Sequence, residues 1–251
     1  MKAAAVSPSQ LRAEIAAQNP PLLIDVRRGP AFLGAGEMIA GALRREPEQA
    51  RAWAGSLPKA GSIVVYCVHG HGVSQGAAAA LSEAGIAARY LEGGVEEWKV
   101  AQGPLDRKPR DASTRWVTRE RPKIDRIACP WLIARFIDPG AQFLYVPAKQ
   151  VQDAAKEKEA VPYDIPGVHF GHQGELCSFD AFVNHYRLHD AAIQKLALIV
   201  RAADTGHPEL APQAPGLLAI SAGLSRNFQD DHEMLKHGMV MYDALYAWCQ
   251  Q

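Results

Sequence analysis

The sequence has few cysteines and no long hydrophobic run. Its four cysteines, at positions 67, 129, 177 and 249, lie far apart in a chain of 251 residues. Sparse, scattered cysteines indicate a reducing compartment rather than a disulfide framework. No run of about eighteen apolar residues is present, which excludes a membrane-spanning helix. The stretch up to Val6 is too short for the apolar core of a signal peptide. We therefore expect a cytoplasmic protein with no membrane partner.

The sequence also has no excess of either charge. Lysine plus arginine and aspartate plus glutamate are equal at 27 each, which gives a formal net charge of +0. A nucleic-acid-binding protein usually has a basic excess, so this balance argues against nucleic acid as a partner. Hydrophobic residues at 48% and charged residues at 22% are typical of a packed globular protein.

The first hundred residues alternate strand and helix patterns. The run Ser7-Pro8-Ser9-Gln10 predicts a capped helix start. Buried strands are predicted over residues 21–26, 62–66 and 87–91, and helices over 47–57, 73–84 and 95–102. Apolar strands separated by helices are typical of a parallel sheet covered on both faces. The sequence therefore predicts an α/β domain over residues 1–104.

The second half of the chain has a different texture. Residues 105–114 are charged, contain proline and lack periodicity, so they are predicted to be a linker. Beyond them we predict strands over 115–118 and 142–146, and helices over 126–137, 191–203, 216–224 and 230–248. A second, mainly α, α+β domain is therefore expected over residues 115–251.

The segment Val65 to Ser74 carries the chemistry of the first domain. Cys67 ends a predicted buried strand and precedes a glycine turn and a helix, and its loop is Val68, His69, Gly70, His71 and Gly72. Free backbone N–H groups at such a turn can converge on the sulfur and, with the helix dipole, favour the thiolate. The same groups would stabilise an anionic persulfide.

This segment and its flanks resemble the rhodanese family. The matches are Leu23-Ile24-Asp25-Val26-Arg27, Ile39-Ala40-Gly41-Ala42, the Cys67 loop and Leu91-Glu92-Gly93-Gly94-Val95-Glu96-Glu97-Trp98. The resemblance covers about residues 8–104. It implies a parallel sheet covered by helices, a persulfide formed on Cys67, and sulfur transfer from a small-molecule donor to a thiophilic acceptor. It also implies that Asp25 and Arg27 are structural supports.

The loop departs from the family at one position. Many rhodanese loops place an arginine five residues after the cysteine, where this sequence has Gly72, so a preference for thiosulfate is in doubt. His69 and His71 would supply positive charge, a proton or a metal contact instead. Val73 stands where a Cys-X5-Arg phosphatase needs its arginine, which argues against that class. The alternative is an inert cysteine in a non-catalytic rhodanese fold.

Three segments of the second half contain residue types that bind ions. Arg126 and Arg135, carried on one predicted helix, form a candidate oxyanion site, although such arginines more often form ion pairs. Asp125 is expected to cap that helix. The run Gly167 to Asp180 combines His172 and Asp180 in a glycine-rich turn before a helix capped by Ser178. Asp180 would equally suit a helix's first turn.

His232 opens the last predicted helix among carboxylates, and Asp204 lies in Ala203-Asp204-Thr205-Gly206. Histidine and carboxylate side chains are common ligands of transition metals. We therefore predict a transition-metal site of unknown metal identity at His172, Asp180, Asp204 and His232. The alternative is that each serves its own helix end.

Together these segments resemble the chromate-resistance (ChrB-type) domain family over about residues 115–250. The resemblance is carried by runs at Asp125–Ala128, Trp131–Phe136, Asp164–Val168, Gly171–His172, Cys177–Asp180, Ala203–Gly206 and Asp231–Met234. It implies a role in chromate resistance, with chromate itself a candidate ligand, and fixes no reaction.

We expect a chromate-resistance protein with a Cys67 sulfurtransferase or thiol-redox domain and a metal- or oxyanion-binding second domain. The alternative is a chromate- or oxidant-responsive sensor whose rhodanese domain only docks a partner. Sequence does not distinguish one shared site from two separate ones.

Overall fold

The computed structural model describes residues 3–57, 61–188 and 190–251. The chain divides into two compact units. Unit 1 comprises Met1–Ser113 and Phe136–Pro139, and unit 2 comprises Thr114–Arg135 and Gly140–Gln251.

Unit 1 is built from alternating strands and helices. In chain order these are β1 (Ala4–Val6), α1 (Pro8–Ile15), β2 (Leu22–Asp25), α2 (Gly29–Leu33), β3 (Glu37–Ile39), β4 (Ala42–Arg44), α3 (Ala50–Ala54), β5 (Ile63–Tyr66), α4 (Gly72–Glu83), β6 (Ala88–Leu91), α5 (Gly94–Val100) and β7 (Leu105–Arg107). The predicted capping box of the first helix is confirmed, since Ser7 and Gln10 exchange the expected hydrogen bonds.

Five strands form a parallel sheet in the order β1-β6-β5-β2-β4. Every residue of β2 and β5 is buried, as their mostly apolar sequences predict for central parallel strands. Helix α4 packs against β5 and β6, and α5 packs against β6. The predicted α/β domain with a parallel sheet and helices is therefore confirmed.

Unit 2 contains β8 (Arg115–Arg119), α6 (Asp125–Leu132), a π-helical turn (Ile133–Ile137, which crosses into unit 1), β9 (Gln142–Val146), α7 (Val151–Glu157), β10 (Val161–Pro162), α8 (Ser178–His185), α9 (Ala191–Asp204), α10 (Ala214–Asn227) and α11 (Asp231–Cys249). A small parallel sheet has the order β10-β8-β9. Helices α6, α8, α10 and α11 pack around α9 or one another. The helix-rich second region agrees with the α+β prediction.

Two local predictions differ from the structure. Leu105–Arg107 is strand β7, which pairs antiparallel with β3, so the predicted linker of residues 105–114 is largely part of unit 1. Helix α8 begins at Ser178 with Cys177 as its N-cap, so Ser178 does not cap it. Among the described residues, no helix is both long and apolar enough to cross a membrane.

Candidate functional site

Cys67 lies directly after β5, where the chain turns into the N-terminus of α4. Tyr66, the last residue of this strand, links it to neighbouring segments. Its hydroxyl donates to Asp25 Oδ2 at 2.9 Å and accepts from the backbone N–H of Ile39 at 3.0 Å. Arg27 donates to the same carboxylate at 2.5 Å. All three side chains are buried. Asp25 and Arg27 therefore lie in a buried network that positions the strand carrying Cys67.

The sulfur of Cys67 is surrounded by hydrogen-bond donors. Its Sγ lies 3.2 Å from Ser74 Oγ, and the backbone N–H groups of Ser74, His71 and His69 also point toward it. Burial alone would raise the pKa of the Cys67 thiol, but these four donors together bring the pKa below its ordinary value. The arrangement stabilises an anionic sulfur in a side chain that is almost completely buried.

Two glycines allow the backbone to close around this loop. Gly70 has a φ of +70°, and a Cβ there would lie 2.5 Å from the carbonyl oxygen of Leu91. Gly94 has a φ of +59°, and a Cβ there would lie 2.4 Å from the carbonyl oxygen of Cys67. In the turn into α5, Val95 donates its N–H to that same oxygen at 3.0 Å. The Gly93-Gly94 turn thus packs directly against the Cys67 loop.

Three other residues of the loop are exposed to solvent, and one is half-buried. His69 and His71 are exposed, with ring centroids 6.2 Å apart. Gly72 is exposed as well, and a Cβ at this position would meet no atom within 4 Å. Val68 is half-buried. The two imidazoles are thus the side chains of this loop that an incoming donor meets first.

Unit 2 brings three aspartate side chains and one histidine side chain together. Nε2 of His172 lies 3.0 Å from Asp204 Oδ2, 3.5 Å from Asp164 Oδ1 and 3.6 Å from Asp125 Oδ2. One ligand atom each from Asp125, Asp164 and His172 fall within 4.8 Å of one another. We call these four residues the acidic cluster. Three separate parts of the chain position it: the start of α6, the loop after β10 and the end of α9.

The predicted metal-ligating set is only partly brought together. His172 and Asp204 meet, but Asp180 accepts two hydrogen bonds from Arg201, at 2.8 and 2.9 Å, and one from the N–H of Cys177 at 3.0 Å. The helix-start role weighed for Asp180 is the one the structure shows. His232 is exposed and packs edge-on against Tyr145, with ring centroids 5.5 Å apart. The structure thus groups Asp125 and Asp164, rather than Asp180 and His232, with His172 and Asp204.

Arg126 and Arg135 do not form a shared oxyanion site. Arg135 makes a bidentate pair with Asp243 at 2.7 and 2.8 Å, and its side chain is partly exposed. Arg126 lies beside the acidic cluster, with its Nε 3.2 Å from Asp164 Oδ2. The structure therefore assigns both arginines to ion pairs, the alternative that the sequence left open.

Sequence reasoning missed several residues of these two sites. Ser74 lies in the first turn of α4. A hydroxyl in the first helical turn after Cys67 was the signal that could have identified it as a donor to the sulfur. Asp125 was expected to cap α6, yet its carboxylate accepts the N–H of Ser178 on another helix at 2.6 Å. Asp164 is 39 positions away from Asp125, and no local pattern marks it as a partner.

The sheet order and a cysteine in a ring of N–H donors before α4 define unit 1 as a rhodanese-like domain. The family model described as Rhodanese-like domain matches residues 7–101. The family model described as ChrB, C-terminal domain matches residues 116–249, more than half of the chain. The chain therefore belongs to the ChrB C-terminal domain family and carries a rhodanese-like domain before it.

Relatives match parts of the chain. Protein ChrB from Cupriavidus metallidurans is 33% identical over 134 residues, which cover 53% of this chain and 40% of that protein. The chain thus matches less than half the length of this curated relative. A rhodanese-related protein from Thermoplasma volcanium is 23% identical, covering 41% of this chain and 97% of that one, with a TM-score of 0.36. A thiosulfate sulfurtransferase from Pseudomonas aeruginosa is 19% identical, covering 43% and 20%, with a TM-score of 0.38.

Proposed function

We propose that unit 1 is a sulfurtransferase that carries sulfane sulfur as a persulfide on Cys67. The observation that carries this proposal is the ring of four donors around Sγ: the Ser74 hydroxyl and the N–H groups of His69, His71 and Ser74. A thiol that served only the core would gain nothing from donors that favour its anion. Donors that hold a thiolate also hold the terminal sulfur of a persulfide anion.

The reaction proceeds in two transfers with no net oxidation. The Cys67 thiolate attacks the sulfane sulfur of a donor, so that an S–S bond forms on Cys67. The bond between that sulfur and the rest of the donor breaks, and the leaving group departs with the electron pair. A nucleophilic acceptor then takes the terminal sulfur and returns Cys67 as a thiolate. With thiosulfate as donor the leaving group is sulfite, and with cyanide as acceptor the product is thiocyanate.

We further propose that the physiological donor is less anionic than thiosulfate. An exposed glycine at position 72 leaves the loop without the arginine that would hold a dianionic donor. The exposed imidazoles of His69 and His71 supply hydrogen bonds to a smaller charge. A low-molecular-weight persulfide, in which a thiolate is the leaving group, suits the Cys67 loop better than thiosulfate does.

Membership of the ChrB C-terminal domain family supports a role in chromate resistance. A reactive thiol or persulfide at Cys67 would contribute by reducing an oxidant or by repairing thiols that the oxidant has damaged. Both roles require a compartment that keeps thiols reduced, and all four cysteines of the chain are free. We therefore propose that the protein works in the cytoplasm.

The test is turnover by the purified full chain with an alkyl persulfide or thiosulfate as donor and cyanide as acceptor. Thiocyanate formation should occur in the wild type and in Cys249→Ala, and fall to background in Cys67→Ala. Cys249 is a suitable control because burial raises the pKa of its thiol, which leaves it a poor nucleophile. Turnover that survives in Cys67→Ala would favour a rhodanese domain that only docks a partner.

A further inference from the structure

The acidic cluster of unit 2 has more negative charge than its surroundings neutralise. Asp164 receives two cations on its Oδ2: Arg119 Nη2 at 3.0 Å and Arg126 Nε at 3.2 Å. Asp125 and Asp204 have, among the described ion pairs, only the imidazole of His172. Three carboxylates therefore converge on one half-exposed histidine, and both arginines lie on the Oδ2 side of Asp164, which leaves Asp125 and Asp204 without a cationic side chain of their own among these ion pairs.

Asp125 shows the deficit most directly. Its side chain has no exposed surface, and its Oδ1 has no hydrogen-bond partner among the described residues. A buried carboxylate oxygen without a partner is costly and rare in folded proteins. Since the other oxygen of this carboxylate lies 3.6 Å from His172 Nε2, the carboxylate faces the centre of the cluster. An ion at that centre would complete its coordination.

Surrounding groups orient the carboxylates as second-shell groups orient metal ligands. Ser178 serves two of them: its N–H donates to Asp125 Oδ2 at 2.6 Å, and its hydroxyl donates to Asp164 Oδ1 at 3.0 Å. The backbone is also held in costly conformations at both positions. Asp164 itself has a φ of +50°, and Ile124, directly before Asp125, has a φ of +38°. Unfavourable backbone conformations thus accompany the placement of both carboxylates in the cluster.

We propose that the acidic cluster is a divalent metal site in which Asp125, Asp164 and His172 are ligands and Asp204 is the fourth. Carboxylate oxygens suit Mg²⁺, Ca²⁺ and Mn²⁺, whereas an imidazole suits transition metals, and the two preferences overlap at Mn²⁺ and Fe²⁺. No thiolate belongs to this donor set, so the site does not favour a soft ion such as Cu⁺. His172 is the most exposed of the four, which gives the ion a path from solvent. This proposal is independent of the chemistry of Cys67.

The test is Mn²⁺ binding to the full chain after removal of bound metals with a chelator. Equilibrium dialysis followed by elemental mass spectrometry gives stoichiometry and affinity, and Zn²⁺ is run in parallel. We expect one Mn²⁺ per chain in the wild type. His172→Ala and Asp125→Asn should each weaken binding by at least about 10- to 100-fold, the loss seen even for second-shell changes.

His232→Ala is the matched control, since this exposed histidine lies outside the acidic cluster, and its Mn²⁺ affinity should equal that of the wild type. Melting temperatures of the metal-free proteins guard against misfolding. Asp125→Asn removes a charge from a repulsive cluster, so its metal-free form should melt no lower than the wild type. Absence of Mn²⁺ and Zn²⁺ binding in the wild type would overturn the proposal. Unchanged affinity in His172→Ala, or an equal loss in His232→Ala, would do the same.

Discussion

At the scale of single residues, Ser74 is the side chain that most directly controls Cys67. Its hydroxyl, 3.2 Å from Sγ, is one of the donors that lower the pKa of the thiol. Because a lowered pKa keeps the thiolate present at lower pH, alkylation of Cys67 should rise with pH earlier than that of a free cysteine. In Ser74→Ala the midpoint of this profile should move to higher pH. Iodoacetamide labelling of Cys67 across a pH series measures it.

Ser82→Ala provides the control for this measurement. Ser82 lies in the same helix, and its hydroxyl donates to the carbonyl oxygen of Ala78 within that helix. Its substitution should leave the alkylation profile of Cys67 unchanged. An unshifted midpoint in Ser74→Ala would mean that the backbone N–H groups alone set the thiol's acidity.

Gly72 is the residue that we expect to limit the use of thiosulfate. A side chain can be added there without a clash, because a Cβ would meet no atom within 4 Å. Gly72→Arg should therefore fold normally and place a guanidinium at the mouth of the loop, where it can bind an oxyanion. The KM for thiosulfate should fall, while the KM for a neutral or monoanionic donor changes little. An unchanged KM for thiosulfate would show that the donor binds elsewhere.

The two candidate sites differ in how much of their geometry the sequence displays. Cys67 was identifiable because the donors around its sulfur come from one continuous stretch, between the end of one strand and the first turn of the next helix. The acidic cluster depends on Asp125, Asp164, His172 and Asp204, which meet only after folding. The residues next to Asp180 in sequence predict it as a metal ligand, yet its carboxylate accepts two hydrogen bonds from Arg201 on the following helix.

At the scale of elements, the Gly93-Gly94 turn joins the start of α5 to the Cys67 loop. Gly94→Ala would add a methyl group 2.4 Å from the carbonyl oxygen of Cys67, at a φ of +59° that disfavours alanine. Left-handed strain and overpacking together should cost about 2–4 kcal/mol of unfolding free energy. Urea denaturation measures this loss, and sulfur transfer should fall with it because the loop is displaced.

Gly76→Ala is the matched substitution within α4. A Cβ at Gly76 meets no atom within 4 Å, and the position is an exposed helix interior. Alanine there should stabilise the protein by about 0.5–1 kcal/mol. If Gly94→Ala proved as stable as Gly76→Ala, the close approach of the two loops would not exist in solution.

Long, continuous elements were predictable, whereas short edge strands were not. The strand over 142–146 has the predicted bounds, and the helix over 191–203 differs by one residue. Strands β3 and β7 are three residues each, and even their closest pair in sequence, Ile39 with Leu105, is 66 positions apart. The sequence of β7 did not predict a strand because two of its three residues are charged. A strand in an isolated two-stranded sheet does not require an apolar run.

At the scale of the whole molecule, the charge balance bears on the sensor alternative. With 27 basic and 27 acidic residues the chain has no net attraction for a polyanion. We expect no binding to duplex DNA in a gel-shift series at low salt, where counterion release favours binding most strongly. A shift that weakened steeply with salt would instead support a regulator that contacts DNA.

The two-domain organisation was visible in the change of texture near residue 105, but its boundary was not. The predicted linker is mostly part of unit 1, and Phe136–Pro139 also belongs to that unit despite lying inside the second family match. A segment that leaves one unit and returns carries no signature in composition or periodicity.

Sulfur loading of Cys67 tests the central claim most directly. The purified chain is incubated with an alkyl persulfide, the excess is removed, free and persulfidated thiols are alkylated, and each cysteine-containing peptide is analysed by mass spectrometry. We predict one added sulfur atom on the Cys67 peptide. We predict none on Cys129, Cys177 or Cys249, because burial raises the pKa of each thiol. Sulfur absent from Cys67, or spread evenly over the four cysteines, would contradict the account.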